Sequence, residues 1–257
     1  MRGLIIKYLM SLRQRLVTVV VVIAATLIFA VMFSISAKSG NLHNMIVPGP
    51  DTTEQEAEYA RDVLSYVFMM LMLLPMCTVG DTVKNMFFED RLSGFTAVAS
   101  VTPLTVRQRV LSKIITICGL YLAGAVLSIV ISSLVSLFTD LVTFRQLFAV
   151  VIIGFSICLI YTFLMFDIGI ILNGSEMYSE TFALLIILLA IFGMNIKNII
   201  SLIKAGDNFA SVIIEQAKNV TAVVLDRAYV FLIIACVLGF ISYFVTVAVA
   251  AKKREVI

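Results

Sequence analysis

The sequence predicts an all-α polytopic membrane protein of six transmembrane helices, with both termini in the cytoplasm. Three observations carry that prediction. The apolar excess is too large for one soluble core, the hydrophobic runs are long enough to cross a bilayer, and lysine and arginine are unevenly placed along the chain.

The excess is measured by 61% hydrophobic residues, 14% charged residues and a mean hydropathy of +1.08 over 257 residues. Soluble domains hold about 45–50% apolar and about 25% charged residues. A water-soluble domain of this size already has a filled interior, so the surplus must face lipid. At about 20 residues per crossing, the runs supply six crossings and leave short loops. Residues 1–257 therefore read as a single transmembrane domain, and any soluble machinery must come from another polypeptide.

Each element can be justified in order. Residues 1–15 place Arg2, Lys7, Arg13 and Arg15 among Leu4, Ile5, Tyr8, Leu9 and Leu12. Their apolar set recurs at i, i+4 and i+8, the spacing of a short basic helix lying in the membrane interface. A first span of about 16–36 follows, longer than the hydrophobic part of a cleaved signal. Residues 37–62 form a polar loop punctuated by Pro48, Gly49 and Pro50, with acids dominating its second half. The second span covers about 63–83, the third 113–138, the fourth 146–172, the fifth 181–203 and the sixth 227–250. Pro75 is expected to kink the second of these.

Orientation follows from the basic residues. With the N-terminus inside, the inner segments hold twelve of the 19 lysines and arginines, including Lys84, Arg91, Arg107, Arg109 and Lys113 between spans two and three and Lys252, Lys253 and Arg254 at the end. One inner segment, 173–180, has none.

Two segments are more than ordinary loops. Segment 84–112 repeats Phe87, Phe88, Leu92, Phe95, Val98 and Ala99 at three- and four-residue steps, which predicts a short amphipathic helix. Pro103 then biases Thr102 away from helix. Thr105 and Gln108 form a capping-box pattern that restarts a helix through Lys113 into the third span. The plain reading is a surface helix that anchors the loop at the headgroups; the sharper one is a docking surface for a soluble partner. Segment 195–226 shares Phe209, Val212, Ile213, Ala217, Val220 and Val224 on one face and predicts an outer amphipathic or re-entrant element.

The chemistry of enzymes is missing from this sequence. A single histidine, His43, argues against histidine metal sites and a Ser-His-Asp triad. Cys77, Cys118, Cys158 and Cys236 are widely spaced within apolar runs and read as buried thiols. There is no phosphate loop, HExxH or GxSxG; the nearest stretch, Gly154-Phe155-Ser156, lacks the closing glycine. No catalytic residue and no metal ligand is expected. Within the spans, Asp167 and Lys197 are the ionisable candidates for a substrate or ion path. Met69, Met72 and Met76, with Met70, enrich the second span, either as ordinary packing or as an adaptable lining for apolar substrates.

The inner loop resembles a known pattern. Glu89-Asp90-Arg91-Leu92-Ser93-Gly94, then Ser100-Val101-Thr102-Pro103-Leu104-Thr105, then Lys113, is similar to the loop between spans two and three of ABC type-2 transporter permeases. Six spans, an N-terminal interface helix and an outer element between spans five and six extend the resemblance over nearly the whole chain. In size the chain is similar to the short Firmicute permeases that include phenol-soluble-modulin and antimicrobial-peptide exporters.

The resemblance implies a bacterial, multi-pass cell-membrane permease that hydrolyses nothing itself. It implies two ATP-binding subunits that bind ATP and magnesium, and a second permease copy or paralogue, with no cofactor in this chain and no nucleic acid. Phe87, Phe88, Glu89, Asp90, Arg91, Leu92, Ser93, Gly94 and Phe95 would match the coupling helix that enters a groove on the ATPase. The path would run between two permeases, lined by parts of spans one, two and five. Exported substrates would be hydrophobic or amphipathic, peptides among them. The rival readings are an ion-coupled secondary transporter using Asp167 and Lys197, whose expected paired broken helices are not evident, and a membrane immunity protein that transports nothing.

Overall fold

The computed structural model describes residues 5–7, 16–39, 61–62, 64–65, 68–79, 105–137, 142–172, 178–189 and 224–252. These residues are helical apart from a few turn positions, and no strand occurs among them. The principal helices are α1 (Leu16–Lys38), α2 (Phe68–Val79), α3 (Val106–Ser136), α4 (Phe144–Leu172), α5 (Tyr178–Leu189) and α6 (Ala228–Lys252). Three of them, α3, α4 and α6, are long and apolar enough to cross a membrane, and α1, α2 and α5 contribute shorter apolar stretches. The protein is a membrane protein. Large side chains such as Val20, Ile28, Met32, Phe240 and Phe244 stand exposed on α1 and α6, which water would penalise and lipid does not.

Helix starts follow local chemistry. At the head of α3, the Gln108 backbone N–H donates to Thr105 Oγ1 at 3.3 Å, and the Thr105 N–H donates to Gln108 Oε1 at 3.1 Å. This is the expected capping box, closing two of the N–H groups a helix start leaves open. A second box heads α4, where Thr143 and Gln146 exchange the same pair of bonds at 2.9 and 3.4 Å. From its cap, α3 runs 31 residues, or about 46 Å. That exceeds a hydrocarbon core of about 30 Å, and the surplus matches the first two turns, which carry Arg107, Arg109 and Lys113.

α2 is irregular where Pro75 predicts it. The proline has no N–H to donate, and turn geometry replaces helix at 72–73. Tightened bonds run from Leu73 N–H to the Met70 carbonyl and from Met76 N–H to the Leu73 carbonyl, each at 3.1 Å.

The chain forms two compact units: Met1–Met86 with Ser112–Cys158, and Phe87–Leu111 with Leu159–Ile257. In the first, Ala30, Phe68, Met69, Met72, Ile131, Val142 and Leu147 form a core, with Phe33 and Val150 packed against it. The Phe33 and Phe68 rings stack at 4.8 Å between centroids. In the second, Met165 and Ala183 are buried together, with Tyr161, Leu164 and Ile168 around them.

Of the N-terminal interface helix, residues 5–7 are described and are helical. In segment 195–226, residues 224–226 are described and helical. The coupling segment Phe87–Phe95 and Lys197 lie outside the described residues. At the fifth apolar run the described helix covers Tyr178–Leu189, so residues 178–180, placed before the expected start at 181, are already helical.

Candidate functional site

A hydroxyl in an apolar helix needs a partner, and the nearest is the carbonyl one turn back. Several described hydroxyls follow that rule. Thr26 donates to the Val22 carbonyl at 2.8 Å, Thr116 to Ser112 at 2.8 Å, Ser133 to Ile129 at 2.7 Å and Ser156 to Ile152 at 2.7 Å. Two residues on α6 depart from it. Ser242 Oγ donates across to Asp167 Oδ1 on α4 at 2.9 Å, and Thr246 Oγ1 donates to the same oxygen at 3.4 Å. Both hydroxyl residues are fully buried, and Asp167 is half-buried.

Small residues are buried along α6. Ala228, Ala235 and Ser242 recur at seven-residue steps on α6 and are buried. Gly239, between them, faces Phe163 so closely that a Cβ there would lie 2.8 Å from Phe163 Cε2. Small side chains let membrane helices approach and make van der Waals contact, the main attraction left when lipid removes the hydrophobic drive. The contacts advance together along both helices. Gly239 meets Phe163, and one turn on, Ser242 and Thr246 meet Asp167, so α4 and α6 run in the same direction.

Asp167 lies five residues before the end of α4, about 7.5 Å along its axis. Its described partners are the two neutral hydroxyls, both on Oδ1. Among the described residues nothing bonds Oδ2, and no cationic side chain pairs with the carboxyl.

The methionine candidates sit elsewhere, in the first unit. Met69, Met72 and Met76 are buried within its packing, whereas Met70 between them is 70% exposed. Met76 is enclosed by two glycines: a Cβ on Gly124 would stand 3.2 Å from Met76 Cα, and one on Gly154 would stand 2.7 Å from Met76 Cε. Beside that contact the side chains of Cys77 and Cys158 are neighbours; of the four cysteines expected to be buried, Cys77 and Cys236 are exposed and Cys118 and Cys158 are half-buried. On α3, the buried Ser128 and Ser132 hydroxyls have no partner among the described residues.

The structure therefore gives Asp167 a built setting and places three methionines in a packed interior. Sequence reasoning singled out Asp167 but missed Ser242 and Thr246, which are 75 and 79 positions away. A weak signal existed, since two hydroxyls one turn apart on an apolar helix form a polar stripe that needs a partner. Among the described residues no group of three or more His, Cys, Asp or Glu side chains is placed to hold a metal ion.

No family model, curated protein or solved structure matches this chain.

Proposed function

We propose that the chain is the permease subunit of an ATP-driven ABC exporter, crossing the bacterial cell membrane six times with both ends in the cytoplasm. Two separate ATP-binding subunits supply the energy, and a second permease copy or paralogue completes the path. The cargo is hydrophobic or amphipathic, a class that includes peptides.

The observation that carries this reading is the continuity of α3. It leaves the 84–104 segment through the Thr105 capping box and runs without interruption to Ser136. That segment is the one whose Glu89–Gly94 and Ser100–Thr105 stretches resemble the ATPase-facing loop of ABC type-2 permeases. A push on the 87–95 segment would pass to a rod at Thr105. α2, on the other side of the same segment, has its hydrogen-bond ladder broken at 72–73 and would bend. A stiff helix and a hinged helix flanking one handle can turn nucleotide-driven closure into a change of tilt. Met69, Met72, Met76, Asp167 and Lys197 remain the residues nominated for the substrate path.

The shared direction of α4 and α6 supports a return crossing between them, since a chain that crosses twice in the same sense must come back, and α5 lies in that interval. Charge reversal at Glu89 and Asp90 tests the handle. E89K/D90K is expected to abolish ATPase assembly or its stimulated activity while the permease still inserts. Coupling at the unaltered level would remove the assignment.

A further inference from the structure

We propose that Asp167, Ser242 and Thr246 form a binding site for a monovalent cation, a proton or a sodium ion, at the seam between α4 and α6. The inference stands whether or not the chain works with an ATPase, because it rests on the charge balance of this seam alone.

A carboxylate within an apolar helix pair is costly unless its charge is balanced. Hydrogen bonds from two hydroxyls lower that cost without cancelling the charge. Here both fall on Oδ1, at 2.9 and 3.4 Å, which leaves Oδ2 without a described donor. The charged groups described on the packed elements lie elsewhere. Arg145 is at the far end of α4, Asp226 and Arg227 precede α6, and Glu180 is on α5; none forms an ion pair with Asp167. Among the described residues no fixed cation stands beside the carboxyl, which leaves that place to a mobile partner carrying one positive charge. A divalent ion would leave the seam with a net positive charge. The donor atoms are all oxygens, which suits a hard cation and not a thiophilic one. Ser and Thr oxygens hold two lone pairs each, so the same hydroxyls that donate to a bare carboxylate can turn and coordinate an ion.

The arrangement departs from the local pattern of the other hydroxyls. Ser242 and Thr246 give up the local carbonyl that Thr26, Thr116, Ser133 and Ser156 use, and both turn to one oxygen on another helix. Ser242 and Thr246 are fully buried, whereas Asp167 is half-buried, which leaves its carboxyl open to an arriving ion. The site lies near the end of α4, so an ion needs to travel only a turn or two to reach it.

The test uses the full chain in detergent or vesicles and a hydrophobic carbodiimide, which adds covalently to protonated carboxyls in apolar surroundings. Peptide mass spectrometry follows labelling of Asp167 in sodium chloride and in choline chloride, from about pH 5 to about pH 8, a range that lies above the ordinary carboxyl pKa of about 4. D167N is the background control. Slower labelling in sodium than in choline assigns a sodium ion. Equal labelling in both salts, with a rate that falls as pH rises, assigns a proton. Absence of Asp167 labelling throughout, or labelling indifferent to both sodium and pH, overturns the proposal. In S242A/T246A, sodium protection is expected to weaken about tenfold or more, as when groups that position a ligand are removed, or the pH midpoint to move. An unchanged profile in that variant would remove the hydroxyls from the site. The wild-type measurement decides the main claim even if a variant fails to fold.

Discussion

The Cα of Met76 on α2 lies 3.2 Å from the point where a Cβ on Gly124 of α3 would stand. That approach brings backbone against backbone, so neither side can rotate away. At Gly154 on α4 the neighbours are the Met76 methyl and Leu73 Cδ2, both at 2.7 Å and both ends of flexible side chains. Gly119, also on α3, has nothing within 4 Å. Alanine at these positions should rank accordingly. Gly124→Ala is expected to destabilise by about 1–3 kcal/mol through overpacking, with Gly154→Ala milder. Gly119→Ala should be neutral or stabilising by up to about 1 kcal/mol from helix propensity. Melting midpoints of the purified protein in detergent check the order. A Gly119→Ala loss as large as that of Gly124→Ala would contradict the packing.

Cys77 and Cys158 connect α2 to α4 beside the same contact. A mild oxidant such as copper phenanthroline should close an intrachain disulfide between them, read as a shift in gel mobility that reductant reverses. C77S and C158S should each abolish the shift, and C118S and C236S should leave it. A shift that depends on Cys118 or Cys236 would place different helices in contact.

The hydroxyls should split by their partners. Ser128 and Ser132 are buried with none among the described residues, so alanine at either removes a stranded polar group and should be neutral or stabilising by up to about 1 kcal/mol. Ser242→Ala removes a donor to Asp167 and should cost about 1–2 kcal/mol. Thermal stability in one detergent compares all three. Equal losses would show that Ser128 and Ser132 have partners in the assembled protein.

Helix ends were legible because they are written in local chemistry. Thr105 and Gln108 predict the start of α3, Pro75 predicts the irregular turn in α2, and the same Thr-x-Arg-Gln pattern at Thr143–Gln146 heads α4. Which face of each helix points inward was not legible. Lipid is as apolar as leucine, so hydropathy does not separate packed from lipid-facing positions. Met69 and Met70 are neighbours of one residue type, and the first is 7% exposed while the second is 70% exposed. The partners of Asp167 were hidden for a different reason. They belong to another helix, and no periodicity within α4 encodes which hydroxyls α6 will bring to it. The sequence could flag a lone carboxyl in an apolar run, but only the α4–α6 register supplies its setting.

The exporter reading is tested most directly by purifying the tagged full chain from its native membranes and measuring nucleotide hydrolysis. The expected result is a complex that contains an ATP-binding subunit and shows vanadate-sensitive, magnesium-dependent ATP hydrolysis, lost in E89K/D90K. A chain that purifies alone, without ATPase activity, and drives uptake in vesicles from an ion gradient would contradict it.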